Sequence, residues 1–275
     1  MDENNTRRAR RKKRSSVKLI LIVLCIILLC VFFYSGYKII STLMGYKQAE
    51  KTYNEVANNF VSLSSSTPMP APVESDQPQG DGIDPEVSPL NIDFAGLRAQ
   101  STDYVGWIYS PNTVINYPVA YTDDNFYYLD HIPGEIQNAN GTIFIDCRNA
   151  SDFSDQNTCI YGHNMNDGSM FASLRNYRDE GYYAEHPVIY FSTPNFNYRL
   201  DLIAGFITEP TSFAYAPNFD SPEQFLGHIE LIRDLSTFKS DVQVLETDHI
   251  VTLSTCTYER DDGRYVVVGK LTRIH

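Results

Sequence analysis

Cys256 is the residue whose position most invites chemistry. It ends the run Ile250-Val251-Thr252-Leu253-Ser254-Thr255-Cys256, which reads as a strand from its Val, Thr and Leu and gives way to a polar turn at Thr257 and Tyr258. A second strand, Arg264-Tyr265-Val266-Val267-Val268-Gly269-Lys270-Leu271, follows Asp261-Asp262-Gly263. The two make a hairpin with a thiol on one side of its loop and a guanidinium on the other. Acyl transfer by a thiol needs a thiolate, a proton carrier and a cationic or amide group for the oxyanion. Cys256 is the candidate nucleophile and Arg264 its oxyanion partner, although a strand-end cysteine taken alone is equally well a structural thiol. Arg260 lies nearer in sequence but in the turn, and ranks well behind Arg264.

Among the six histidines, His163 stands apart. In Cys159-Ile160-Tyr161-Gly162-His163-Asn164-Met165 a strand breaks at a glycine and releases an imidazole into a loop. His186, before a proline, and His228, in an amphipathic segment, fit ordinary turn and helix-surface roles. Cys147 and Cys159 sit in or beside strands and read as core filler; a disulfide between them depends on a separation the sequence does not supply. Three cysteines lie outside the apolar N-terminal run, so at least one thiol is free in an extracellular setting. No Cys or His pair has the short spacing of a zinc site, and neither a metal nor a cofactor is expected. Ser254, Thr255 and Tyr258 flank the thiol and could orient a substrate, although Ser and Thr in strands are also plain β formers.

The elements that must position these groups are mostly strands. Short runs separated by turn signals occur at Val105–Tyr109, Ile115–Val119, Gly141–Asp146, Thr158–Tyr161, Val188–Ser192, Tyr198–Ile207, Val242–Leu245, Ile250–Cys256 and Tyr265–Leu271, the pattern of a closed or sandwiched β structure. Asp93 is a candidate N-cap for a short helix ending at Gln100. Ser221-Pro222-Glu223-Gln224 is a capping box with proline at the first helical position, and Phe225, Leu226, Ile229 and Ile232 continue the helical spacing. A further helix is expected over Ser169–Tyr177.

Upstream the composition changes. Residues 1–18 hold eight basic and two acidic residues, a formal +6, so the remainder of this −12 chain carries −18. A basic head on an acidic body argues against nucleic acid, whose backbone the body would repel. Residues 19–38 are apolar enough and long enough for a transmembrane helix, and no small-residue cleavage site follows closely. The positive-inside rule puts residues 1–18 in the cytoplasm and the rest outside the cell membrane. Ala49, Tyr53, Val56 and Phe60 recur at helical spacing, which predicts a stalk helix within residues 39–63. Residues 64–89 are rich in Ser, Pro, Gly and acidic residues and read as a flexible linker. The folded domain is expected over residues 90–275.

These residues together resemble the sortases, and within them class B. The resemblance rests on Thr252-Leu253-Ser254-Thr255-Cys256, on Tyr161-Gly162-His163-Asn164-Met165, and on Arg264 eight residues after the cysteine. Asp103-Tyr104-Val105-Gly106-Trp107-Ile108, Asp124 to His131 and Gly141 to Asn149 are similar to class B sequences too, as is the helix at Ser221–Asp234 between two late strands. The match runs from about residue 90 to residue 275. It implies a mainly β fold, a closed β-barrel of about eight strands with an N-terminal helix and a late helix. It also implies a membrane-anchored cysteine transpeptidase of Gram-positive bacteria. Cys256 would cleave a C-terminal sorting signal after Thr through a thioester, His163 would carry the proton, and Arg264 would hold the oxyanion. The partners implied are secreted proteins bearing sorting signals and an amine of the peptidoglycan cross-bridge or of a pilin. Competing readings are a cell-wall cysteine peptidase or amidase releasing product to water, a pilin-polymerising sortase, and a tethered β-domain used for adhesion. The absence of an obvious lid segment favours wall anchoring over pilin polymerisation.

Overall fold

The computed structural model describes residues 3–64, 87–257 and 262–275, with side chains from residue 21 onward. The chain divides into two compact units, Met1–Gln48 and Ala49–His275. Helix α1 covers Glu3–Phe60. Among the described residues it is the one helix long and apolar enough, by length and composition, to cross a membrane. Residues 65–86, most of the expected linker, lie outside the described residues, as do Tyr258 and Arg260.

In the second unit the chain runs through β1 (Val61–Leu63), β2 (Leu90–Ile92), α2 (Phe94–Gln100), β3 (Tyr104–Tyr109), β4 (Asn116–Ala120), the hairpin β5 (His131–Ile132) and β6 (Ile136–Gln137), β7 (Ile143–Ile145) and β8 (Asn157–Tyr161). It continues through α3 (Glu180–Glu185), β9 (Val188–Ser192), β10 (Asn197–Thr208), α4 (Pro222–Leu235), β11 (His249–Cys256) and β12 (Arg264–Ile274). Eight strands close into a barrel in the order β10-β12-β11-β8-β7-β4-β3-β9. The mainly β, closed eight-stranded fold expected from the sequence is therefore the fold observed. Most pairs are antiparallel, but β8 runs parallel to β11 and β4 parallel to β7.

Strand periodicity sorts the core into an inside and an outside. Val251, Leu253, Tyr265 and Val267 join the barrel interior, while Ile250, Val266 and Val268 face a second cluster beneath α4. Phe225, Ile229 and Ile232 of α4 fill that outer cluster; each such buried side chain contributes roughly 1.5–3 kcal/mol. Both expected caps are present. Asp93 accepts from Gly96 N and Ser221 from Gln224 N. Ala49, Tyr53 and Val56 of α1 are buried, the first two in the interior cluster and Val56 in a third one with Leu90, Leu97 and Trp107.

One expectation is corrected. Val242–Leu245 is not a strand. Its polar groups are taken by side chains instead of a ladder: Arg233 donates to the carbonyls of Ser240 and Val242, Lys270 to Gln243 O, and Asp248 accepts from Leu245 N. The helix expected over Ser169–Tyr177 is present as a 3₁₀ helix at Ala172–Arg178, and the regular helix α3 begins after it, capped by Asp179.

Candidate active site

The register of three adjacent strands assembles the site. Cys256 pairs directly with Arg264 across β11 and β12, and directly opposed residues project from the same face of a sheet. By alternation that face is the outer one, shared with Ile250 and Val266. On the other side of β11, Ser254 pairs in parallel with Tyr161 of β8. Two residues further along the chain stand Cys256, at the end of β11, and His163, just past the end of β8, so a parallel pairing delivers thiol and imidazole to one end of the barrel. The contact continues past the ladder, since Gly162 N donates to Ser254 O at 3.1 Å.

Side chains then fix the three groups. His163 Nε2 lies 2.7 Å from Leu129 O. A carbonyl oxygen can only accept, so this bond keeps a proton on Nε2 and leaves Nδ1 as the nitrogen available for proton transfer. Asn164 Nδ2 donates to Cys256 O at 2.9 Å, joining the histidine loop to the nucleophile's own backbone. Arg264 Nη1 donates to the carbonyls of Asp262 and Gly263, both at 3.1 Å, which holds the guanidinium at the mouth of its hairpin.

Cys256, His163 and Arg264 all line one cleft of about 350 Å³. Phe126, Leu129 and Phe144 supply apolar wall, and Tyr215 and Pro210 close the side nearest α4. Phe126 is 76% exposed and Leu129 39% exposed, so the mouth presents an apolar surface suited to an extended peptide. The polar wall hangs on one buried carboxylate. Asp146 accepts from Tyr161 Oη at 2.7 Å, from Asn125 Nδ2 at 3.2 Å and from Arg148 Nη2 at 2.6 Å. Burial alone would raise its pKa; the bonds from Arg148, Tyr161 and Asn125 outweigh that and hold it at about 2. Burial, then the bond to Asp146, pushes the Tyr161 phenol upward, so Tyr161 remains a donor.

The structure thus brings together the three residues singled out for catalysis. Ser254 is buried at the cleft floor with its hydroxyl 2.9 Å from Tyr215 Oη, and Thr255 is buried beside it. Tyr258 lies outside the described residues. Cys147 and Cys159 are both free thiols; burial raises the Cys159 thiol to about 12, which suits a core residue. Sequence reasoning missed Tyr215, Pro210 and the role of Asp146. Pro210 and Tyr215, the latter in a single 3₁₀ turn, sit in a connection with no periodic signal, and Asp146 shows its importance only through Tyr161 and Asn125, 15 and 21 residues away. A larger hollow of about 600 Å³ lies between Leu90–Ile92, Thr193–Asn197 and Arg273–His275, and holds no candidate nucleophile.

A closed barrel that presents a cysteine, a histidine and an arginine on one peptide-sized cleft defines a thiol acyl-transfer enzyme. Comparison with known proteins narrows the class. The family model of the Sortase domain matches residues 110–272. Sortase B of Listeria monocytogenes is 38% identical over 177 residues, covering 64% of this chain and 72% of the relative. Sortase B of Staphylococcus aureus is 30% identical over 241 residues, covering 87% and 91%. Among solved structures, sortase B from Bacillus anthracis superposes with a TM-score of 0.68 at 31% identity, over 84% of this chain and 99% of that one. The S. aureus sortase B–substrate complex gives 0.63 at 31% identity, over 66% and 85%, and a sortase B complexed with triglycine gives 0.63 at 31%, over 66% and 86%. The chain belongs to the sortase family, and within it to class B: it is a cysteine transpeptidase of the sortase type.

Proposed function

We propose that this protein is tethered by α1 to the cell membrane, with residues 1–18 in the cytoplasm and the barrel outside. There it joins secreted proteins bearing a C-terminal sorting signal to an amine of the cell wall. In this reading the Cys256 thiolate attacks the carbonyl carbon of a threonine in the signal, forming a C–S bond and a tetrahedral oxyanion. Arg264 stabilises that oxyanion, a fixed guanidinium facing developing charge. Collapse breaks the C–N bond as His163 protonates the departing amine, leaving a thioester. The acceptor amine then attacks the thioester, His163 takes its proton, and the C–S bond breaks to return the thiolate.

The observation that carries the reading is the direct pairing of Cys256 with Arg264 on the rim of a cleft that His163 also lines. The triglycine complex of a related sortase B supports a glycine amine as acceptor. The test incubates a threonine-containing sorting peptide with the full-length enzyme, with and without triglycine, and reads products by mass. A new amide with triglycine is the expected product. Hydrolysis undiminished by the acceptor would sink the transferase reading. Cys256→Ala should trap no thioester; a variant that still does so rules out this nucleophile.

A further inference from the structure

Tyr53, near the C-terminal end of α1 and within the second unit, packs against the backbone that meets the His163 imidazole. Tyr53 of α1 is 6% exposed, and its hydroxyl donates to Gly141 O at 2.5 Å and lies 3.2 Å from Thr142 Oγ1. Gly141 is the surface on which the histidine's hydrogen-bond acceptor rests. Its φ is +58°, and a Cβ built there would sit 2.4 Å from Tyr128 O, 2.8 Å from Leu129 O and 3.0 Å from His163 Cδ2. Only a glycine lets the backbone come this close to both the Leu129 carbonyl and the imidazole. That carbonyl is the one bonded to His163 Nε2 at 2.7 Å.

The same tyrosine supports the other end of the histidine loop. Its ring packs edge-on against Tyr117, with centroids 5.1 Å apart. Tyr117 Oη accepts from Met170 N at 3.1 Å, and the next residue, Phe171, donates its N–H to His163 O at 3.0 Å. One side chain of α1 therefore braces both the acceptor of the imidazole proton and the backbone that carries the imidazole.

We infer that Tyr53 is a positioning residue of the active site, fixing the orientation and tautomer of His163 through the Gly141 peptide and Leu129 O. The inference rests on the proton-carrying role proposed above for His163. Without the hydroxyl, Gly141 O becomes an unpaired buried acceptor, its peptide can rotate, and the Leu129 carbonyl moves relative to the ring. Displacement of a reacting group by an ångström costs up to about a hundredfold in rate, so a fraction of that movement predicts a fall in kcat of about tenfold with KM within about twofold.

The test uses the full-length chain in detergent. Tyr53→Phe keeps the ring and loses the donor. Val56→Ala, one turn on along the same helix, removes a buried side chain from the separate cluster around Leu97 and Trp107 and controls for simple destabilisation. Transpeptidation kinetics are read beside long-range ¹H–¹⁵N correlation of histidine-labelled protein, which distinguishes the two imidazole tautomers. The expected result is a tenfold lower kcat and a growing Nδ1–H population in Tyr53→Phe, with kcat and tautomer unchanged in Val56→Ala. A wild-type kcat and tautomer in Tyr53→Phe overturns the inference, as does an equal loss of kcat in Val56→Ala. Full activity in His163→Ala would overturn the reading of the site on which it rests.

Discussion

His228 makes a quantitative case for how this fold responds to acid. It lies on the inner face of α4, 8% exposed, with its ring 4.8 Å from that of Phe219 and 5.6 Å from that of Phe213. Among the described residues its Nε2 has no hydrogen-bond partner. Burial in this apolar layer disfavours the charged form and lowers its pKa from 6.5 to about 4. The unfolded chain therefore binds a proton between those values while the folded chain does not. Stability associated with His228 is fully present above about pH 7, falls as pH drops through 6.5, and levels off below pH 4. At 1.36 kcal/mol per pH unit the complete loss is about 3 kcal/mol, most of it reached by pH 4.5. Urea titration followed by the single tryptophan, Trp107, buried at the barrel wall, reads the transition directly. His228→Leu replaces the ring with an apolar side chain of similar size. It should match or exceed wild-type stability at pH 7.5 and lose about 3 kcal/mol less than wild type on going to pH 4.5. Carboxylates contribute to acid sensitivity in both proteins, so only the difference is diagnostic. If both lose the same stability over that interval, the imidazole is not held neutral by its surroundings and the reasoning fails.

Three further outcomes follow from the cleft. Tyr161→Phe removes the 2.7 Å donor to Asp146 and should cost about 1.5–3 kcal/mol in denaturant titrations; combining it with Asp146→Asn should cost less than the sum, and strict additivity would show that the two do not act together. Gly162→Ala puts a Cβ 2.4 Å from Ile143 Cδ1 and 2.7 Å from the Phe171 ring, immediately before His163. It should lower stability by about 1–3 kcal/mol and kcat by about tenfold or more in peptide turnover. Arg178 donates to Thr257 Oγ1 at 2.7 Å and stacks over Tyr265, so it grips the hairpin beside both Cys256 and Arg264. Arg178→Met should reduce kcat/KM by about tenfold while shifting the melting temperature by only a few degrees; an unchanged kcat/KM would show that the hairpin needs no such support.

The strand-end cysteine, the loop histidine and the return-strand arginine were legible because each breaks a local pattern. Cys256 ends a β run, His163 follows a glycine at a strand end, and Arg264 begins the next strand. The helix α4 was legible because capping box, proline and 3.6-residue spacing coincide. Val242–Leu245 misled because alternating valines satisfy the strand pattern, whereas pairing depends on an available neighbour, and Arg233 and Lys270 occupy those carbonyls instead. The helix after Gly168 is present but with 3₁₀ spacing, a distinction of one residue in hydrogen-bond spacing that composition does not encode.

The sequence by itself determined the class of chemistry and the elements that bear it, because residue type, strand alternation and helix capping are local properties. Only the tertiary structure decided that β8 runs parallel to β11, the arrangement that stands His163 beside Cys256. It alone revealed that Asp146 holds the cleft wall and that Tyr53, 88 residues before Gly141, donates to the Gly141 carbonyl. Such contacts join positions whose separation along the chain carries no signal, and their energies arise only when closure of the barrel removes water from between them.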